Sequence, residues 1–95
     1  MNIVQDKPMV PMGYVKYTVT GGAKPLTPPP GANAALIRVE TANIRWRDDG
    51  AVPTATDGML MQTTDPLLLV RTNLDAFQFI LAAGAPVLHV NYYKV

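Results

Sequence analysis

Ninety-five residues make one domain, and a compact chain of that length has a radius of gyration of about 12 Å. Eight Lys and Arg against seven Asp and Glu leave a net charge of +1, with no basic run, so nothing marks nucleic acid as a partner. No stretch comes near the roughly 20 apolar residues of a membrane span, and the absence of cysteine excludes a disulfide framework or a thiolate metal site.

The chain opens on a segment punctuated by Pro8, Pro11 and Gly13. Proline at these spacings suits neither a helix interior nor a central strand, so residues 1–13 read as an extended N-terminal arm with no signal peptide. The domain proper is expected over residues 14–95. Residues 14–20 alternate, with Val15, Tyr17 and Val19 on one face and Lys16, Thr18 and Thr20 on the other, as in a half-buried strand. Gly21-Gly22 ends it. Residues 23–33 carry Pro25, Pro28, Pro29, Pro30 and Gly31. A polyproline docking motif is one reading; an edge strand around Leu26 followed by a stiff turn at Pro30-Gly31 is the plainer one.

Residues 35–41 form the next expected strand, with Ala35, Ile37 and Val39 on one face and Arg38 and Glu40, a plausible exposed pair, on the other. In residues 43–48, Ile44 and Trp46 should face the core while Arg45 and Arg47 face out. Trp46, the one tryptophan, is expected to anchor the hydrophobic centre. Asp49-Gly50 and Asp57-Gly58 supply the positive φ that tight turns need. Residues 59–62 and 67–71 read as short strands separated by a turn at Asp65-Pro66. The latter strand, with Leu67, Leu68, Leu69 and Val70, is apolar on both faces and calls for cover on both.

Residues 73–84 admit two readings. Asn73 as a cap, Asp75 in the first turn and Gly84 as a stop fit a helix; Phe77, Phe79 and Leu81 on one face fit a strand. The regular spacing of the short strands around the segment favours the strand. The last strand, residues 87–95, sets Leu88, Val90 and Tyr92 against His89, Asn91 and Tyr93. The sum is seven or eight short antiparallel strands, an all-β fold. A small β-sandwich is the architecture this implies, with the jelly roll as one form of it.

The sequence holds little that resembles catalytic machinery. Asp48 and Asp49 are adjacent, so on a strand they point to opposite faces, and they run into a glycine; a turn is the better reading than a carboxylate pair. His89 is the one histidine, too few for the metal sites that need several converging ligands, and it reads as a sheet-face residue. Gly21-Gly22 lacks the lysine-serine sequel of a phosphate loop. Trp46 with Arg45 and Arg47 has the chemistry to stack a sugar or base, although a core tryptophan flanked by solvated arginines is the simpler account. No catalytic residue, cofactor or metal ligand is therefore expected, and the chain reads as non-enzymatic.

A block goes beyond pattern. Ala34-Ala35-Leu36-Ile37-Arg38-Val39-Glu40, Ile44-Arg45-Trp46-Arg47-Asp48-Asp49-Gly50 and Pro53-Thr54-Ala55-Thr56-Asp57-Gly58-Met59, followed by Phe77-Gln78-Phe79-Ile80 and Leu88-His89-Val90-Asn91-Tyr92-Tyr93, resemble small tailed-bacteriophage virion structural proteins over residues 25–95. The resemblance implies a structural role and supplies no catalytic residues. With 48% apolar and 16% charged residues in a domain that hides only about two-thirds of its unfolded surface, it suggests a capsid decoration (cement) protein. Such a protein would be made in the host cytoplasm and assembled into the virion as a homo-oligomer, with a trimer as the guess, against the major capsid protein. Met9, Val10, Met12, Leu68 and Val70 are the expected oligomer or capsid contacts; Trp46, Asp49, Gly50, Gly58, Phe77 and Phe79 are the expected core and turn residues. A neck or tail accessory is the second expectation, and a carbohydrate- or host-surface-binding module using Trp46 or Tyr14, Tyr17, Tyr92 and Tyr93 the third.

Overall fold

β-Branched and aromatic side chains at alternating positions favour pleated strands with one buried face. The computed structural model describes residues 9–71 and 73–95. Across them the chain forms eight strands: β1 Val10–Thr18, β2 Lys24–Pro25, β3 Ala34–Glu40, β4 Ile44–Arg47, β5 Met59–Met61, β6 Leu68–Val70, β7 Gln78–Leu81 and β8 Val87–Lys94. They make two four-stranded sheets, the first in the order β1-β8-β3-β6 and the second in the order β2-β7-β4-β5. The fold is thus the expected all-β sandwich.

The pairings are nested. β1 pairs with β8, β2 with β7, β3 with β6 and β4 with β5, all antiparallel. This is one long antiparallel ribbon, bent back on itself between β4 and β5. Rolled up, it brings β8 against β3 and β7 against β4 as well. The result is the strand order of a jelly roll.

The core lies between the sheets. The first sheet contributes Ala35, Ile37, Val39, Val70, Leu88, Val90 and Tyr92, and the second Ile44, Met61 and Phe79, with Val19, Leu26, Leu74 and Phe77 added from the segments between strands. These follow the alternation in the sequence, strand by strand. Trp46 departs from expectation. It is half-buried and packs at the margin of the core, stacked on Phe77 with ring centroids 5.1 Å apart. Its strand β4 lies next to the edge strand β5, so the indole reaches the open side of the sandwich. Phe77, Phe79 and Tyr92, each 0% exposed, occupy the centre instead.

Tyr92 carries a hydroxyl into that centre, and the hydroxyl is satisfied. It lies 2.6 Å from the Tyr17 hydroxyl, which in turn lies 2.7 Å from Thr27 Oγ1, and the Thr27 N–H donates to both phenols at 3.1 Å. Burial first, and then the Tyr17 hydroxyl, raise the Tyr92 pKa above the ordinary phenol value, because ionisation would strand a charge in the core. Tyr17 also meets Phe79 edge to face, centroids 5.3 Å apart.

Several boundaries differ from the sequence reading. β1 begins at Val10, inside the expected arm; residues 1–8 lie outside the described residues. Pro11 fits because β1 is an edge strand and needs no N–H on its outer side, and the register shifts between Pro11 and Gly13, a bulge at Met12. Residues 73–84 combine both readings: Asn73 Oδ1 accepts from the Asp75 N–H at 3.1 Å and caps a single 3₁₀ turn, Leu74–Ala76, before β7 starts. The proline-rich stretch is an edge strand and a turn. The Ala32 N–H bonds the Pro29 carbonyl at 3.1 Å, and Gly31 at φ 91 supplies the positive angle that a Pro-Gly turn requires at its third position.

Phe79 is the test of this packing. Phe79→Ala is expected to lower the unfolding free energy by about 3–5 kcal/mol, read as a shift in urea midpoint with the slope unchanged. A loss below about 1 kcal/mol would place the ring outside the core.

Candidate functional site

Three surface features stand out, and the nested strand order positions all of them. The first is a groove of about 300 Å³ between the edges of the two sheets, where β5 and β6 face each other across their connection. Trp46, Met59, Leu60, Leu67 and Leu68 line it, with Asp65 at the margin. Asp65 shapes the connection itself, its carboxylate accepting from the Gln62 N–H at 2.8 Å. Met59 is 60% and Leu60 43% exposed. Each edge strand here is only three residues long, so an apolar strip lies beside unpaired backbone N–H and C=O groups.

The second feature is the long β4–β5 connection, residues 48–58, held against the outer face of β4 by its two arginines. Arg45 donates from Nε to the Ala55 carbonyl at 3.1 Å and from Nη1 to the Gly58 carbonyl at 3.0 Å. Arg47 grips Asp49 through two hydrogen bonds, 3.0 Å to Oδ1 and 2.5 Å to Oδ2, and reaches Asp57 at 3.7 Å. Asp49 Oδ1 also accepts from the Ala51 N–H at 3.3 Å. The Arg47 hydrogen bonds hold the Asp49 carboxyl down at about 2. The arginines are therefore structural ties, not the solvated pair of the sequence reading. The turn expected at Asp57-Gly58 is tipped by Ala55 and Thr56, with Thr54 and Asp57 exchanging backbone bonds. Gly58 follows at φ 136, and a Cβ there would meet the Trp46 carbonyl oxygen at 3.2 Å.

The third feature is a cup of about 300 Å³ on the outer face of the first sheet. The register sets Tyr14, Asn91, Leu36 and Leu69 side by side in one cross-strand row, and Lys16, His89 and Arg38 in the next. The Tyr14 hydroxyl lies 2.5 Å from His89 Nδ1, and Glu40 Oε1 lies 2.7 Å from His89 Nε2. The carboxylate can only accept, so Nε2 carries a hydrogen, and with the ring neutral Nδ1 accepts from Tyr14. Glu40 thus turns to His89 and not to Arg38. Asn91 Nδ2 donates to the Tyr93 hydroxyl at 2.7 Å.

The expected contact residues scatter. Val10 is 53% exposed, Met9 is half-buried, and Met12 and Leu68 are half-buried against the core. Val70, at 6% exposure, belongs to the core, because it shares the inward face with its neighbour Ala35; it offers no surface for a partner. Of the five, only Leu68 reaches the groove. Tyr17 and Tyr92 are tied into the interior network, which leaves Tyr14 and Tyr93 of the four tyrosines for the surface. Tyr14 is among the tyrosines that the sequence offers for carbohydrate binding, whereas nothing in the sequence marks Met59, Leu60, Leu67, Glu40, His89 or Asn91 as a site. The alternation in β3 and β8 points Glu40 and His89 outward, but 49 residues separate them and only the strand order makes them neighbours.

Among the described residues, no three His, Cys, Asp or Glu side chains come together as a metal site, and no helix is long and apolar enough to cross a membrane. Comparison with known proteins finds no family model, no curated protein and no solved structure that matches the chain.

The Arg47–Asp49 tie makes a pH-dependent contribution. Its carboxyl titrates at about 2 when folded against the ordinary 3.8, so the stabilisation is complete above 3.8 and is lost as pH falls toward 2. Asp49→Asn should lower the thermal midpoint at neutral pH, and its gap from the wild type should close between those two values. A gap that stays constant with pH would contradict this role.

Proposed function

We propose that this chain is a structural subunit of a tailed-bacteriophage particle, a decoration protein that multimerises over the head shell. The observation that carries the reading is the apolar groove along the β5–β6 edges. Total accessible surface, 5396 Å², is what a monomer of 10.3 kDa exposes on average, about 5,400 Å². The argument therefore rests on where the apolar surface lies and not on its amount. Met59 and Leu60 stand exposed on a short edge strand, next to a half-buried tryptophan. Edge strands of free-standing proteins are commonly guarded by charge, proline or a covering loop. Asp65 and Pro66 stand at one margin of this edge, but the strip itself carries leucine and methionine, which suits a surface that another subunit covers.

Two further considerations support the reading. Residues 25–95 resemble small phage virion proteins, and the jelly roll is an architecture used by capsid proteins, although lectins and cupins share it. A domain of this size without disulfides gains stability from assembly. The major capsid protein and further copies of this chain are the proposed partners, and the virion the proposed location.

The direct test is the copy number of the chain in purified particles, by quantitative mass spectrometry. Copies comparable in number with the major capsid subunits support a decoration protein. A small fixed ring would move the chain to the neck or tail, and complete absence would overturn the virion reading. Leu60→Asp should leave the fold intact, since the side chain is on the outer side of an edge strand, while abolishing incorporation.

A further inference from the structure

We propose that the cup on the outer face of the first sheet binds an acidic saccharide, with a carboxylate seated on Arg38 and the sugar ring laid against Tyr14 and His89. The cup adjoins the β5–β6 groove at Leu67, which lines both, but its polar groups, Tyr14, Arg38, His89 and Asn91, belong to the outer face of the first sheet alone.

Three observations converge on this ligand. The first is shape. At about 300 Å³ the cup matches the lower end of small-molecule sites, enough for one sugar unit. Asn91 and Leu36 form its floor, and Tyr14, Tyr93, His89, Arg38 and Leu67 stand around it. A flat apolar side beside an amide and a guanidinium suits a ring with one C–H face and a periphery of hydroxyls.

The second is charge. Lys16, His89 and Arg38 occupy one cross-strand row, and neighbouring strands are about 4.8 Å apart. Two cations thus flank the imidazole, at about 10 Å from each other. Both are exposed, and among the described residues neither forms an ion pair. Among the described residues, the one carboxylate on this part of the face is Glu40. It is engaged by His89 and belongs to the next row, opposite Val87, away from the cup. Arg38 is left at the rim with its fork free for a carboxylate, which it can hold through two parallel hydrogen bonds.

The third is preorganisation. The Tyr14 and His89 rings lie within 18° of parallel, centroids 6.0 Å apart. Each is fixed by its own polar atoms: Tyr14 on His89, His89 on Glu40, and Tyr93 on Asn91. Side chains already held in place lose little freedom on binding, and this is the main saving open to a shallow site. The chain of hydrogen bonds occupies both His89 nitrogens, leaving ring faces, the Tyr93 O–H, the Asn91 carbonyl oxygen and Arg38 to meet a ligand.

The test is a titration of the purified chain, followed by amide shifts in NMR spectra, with sialyllactose and digalacturonate as acidic probes. Lactose serves as the neutral counterpart and inorganic sulfate as a bare anion. The expected result is saturable binding of at least one acidic probe, with shifts centred on residues 36, 89 and 91 and lactose weaker by about tenfold or more. Arg38→Gln and Tyr14→Ala are exposed substitutions that should preserve the fold, and each should weaken binding by about tenfold. Failure of both acidic probes, lactose binding equally well, sulfate competing at equal concentration, or indifference to both substitutions would overturn the proposal.

Discussion

β8 is the strand on which the rest of the molecule depends. It lies between β1 and β3 in the first sheet, pairs along nearly its whole length with both, and turns Leu88, Val90 and Tyr92 into the core. Without it β1 has no partner and β3 keeps only the short β6. Tyr92 then bonds Tyr17 and Thr27, so the strand closes one end of the sandwich as well as its middle. Those contacts are far apart in sequence, and their cost in loop closure must be met before the core rewards it. A jelly roll wound in this way has its central pairing at β8.

The same winding decides where the surface is unfinished. Nesting puts β1 and β2 at one side of the two sheets and β5 and β6 at the other. β1 is long and interrupted by Pro11 and a bulge, devices that discourage further pairing. β5 and β6 have three residues each and meet around an apolar groove. The outer face of the first sheet is different in kind: its side chains satisfy one another through Tyr14, His89 and Glu40, and it shows cations and aromatic rings beside Leu36 and Leu67. The proposed protein partner would cover the first of these surfaces, and the proposed saccharide would use the polar groups of the second.

How much of this the sequence displays depends on the range of the interaction. Period-two alternation is local, so the inward sets Val15, Tyr17, Val19 and Ala35, Ile37, Val39 and Leu88, Val90, Tyr92 were legible, as was the turn at Pro30-Gly31. Strand adjacency is not local. Nothing in the chain announces that His89 stands between Lys16 and Arg38, or that Glu40 reaches His89 across 49 residues. Trp46 was misplaced for the same reason. Its size argued for the centre, but β4 neighbours the edge strand β5, and Phe77, Phe79 and Tyr92 fill the middle. Val70 lies in a strand apolar on both faces, and alternation within so short a strand does not tell its inward face from its outward one. Strand β1 starts earlier than the prolines suggest because at an edge proline excludes only one side of the pairing.

Native-state hydrogen exchange, resolved to single amides, tests the nested pairing most directly. Amides of β8 and of the β3 residues bonded to it should exchange only through global unfolding, at one shared free energy, while those of β5 and β6 open at lower cost. Exchange from β8 as ready as that from β5 would contradict the account, since a strand that opens locally cannot be the one on which both sheets close.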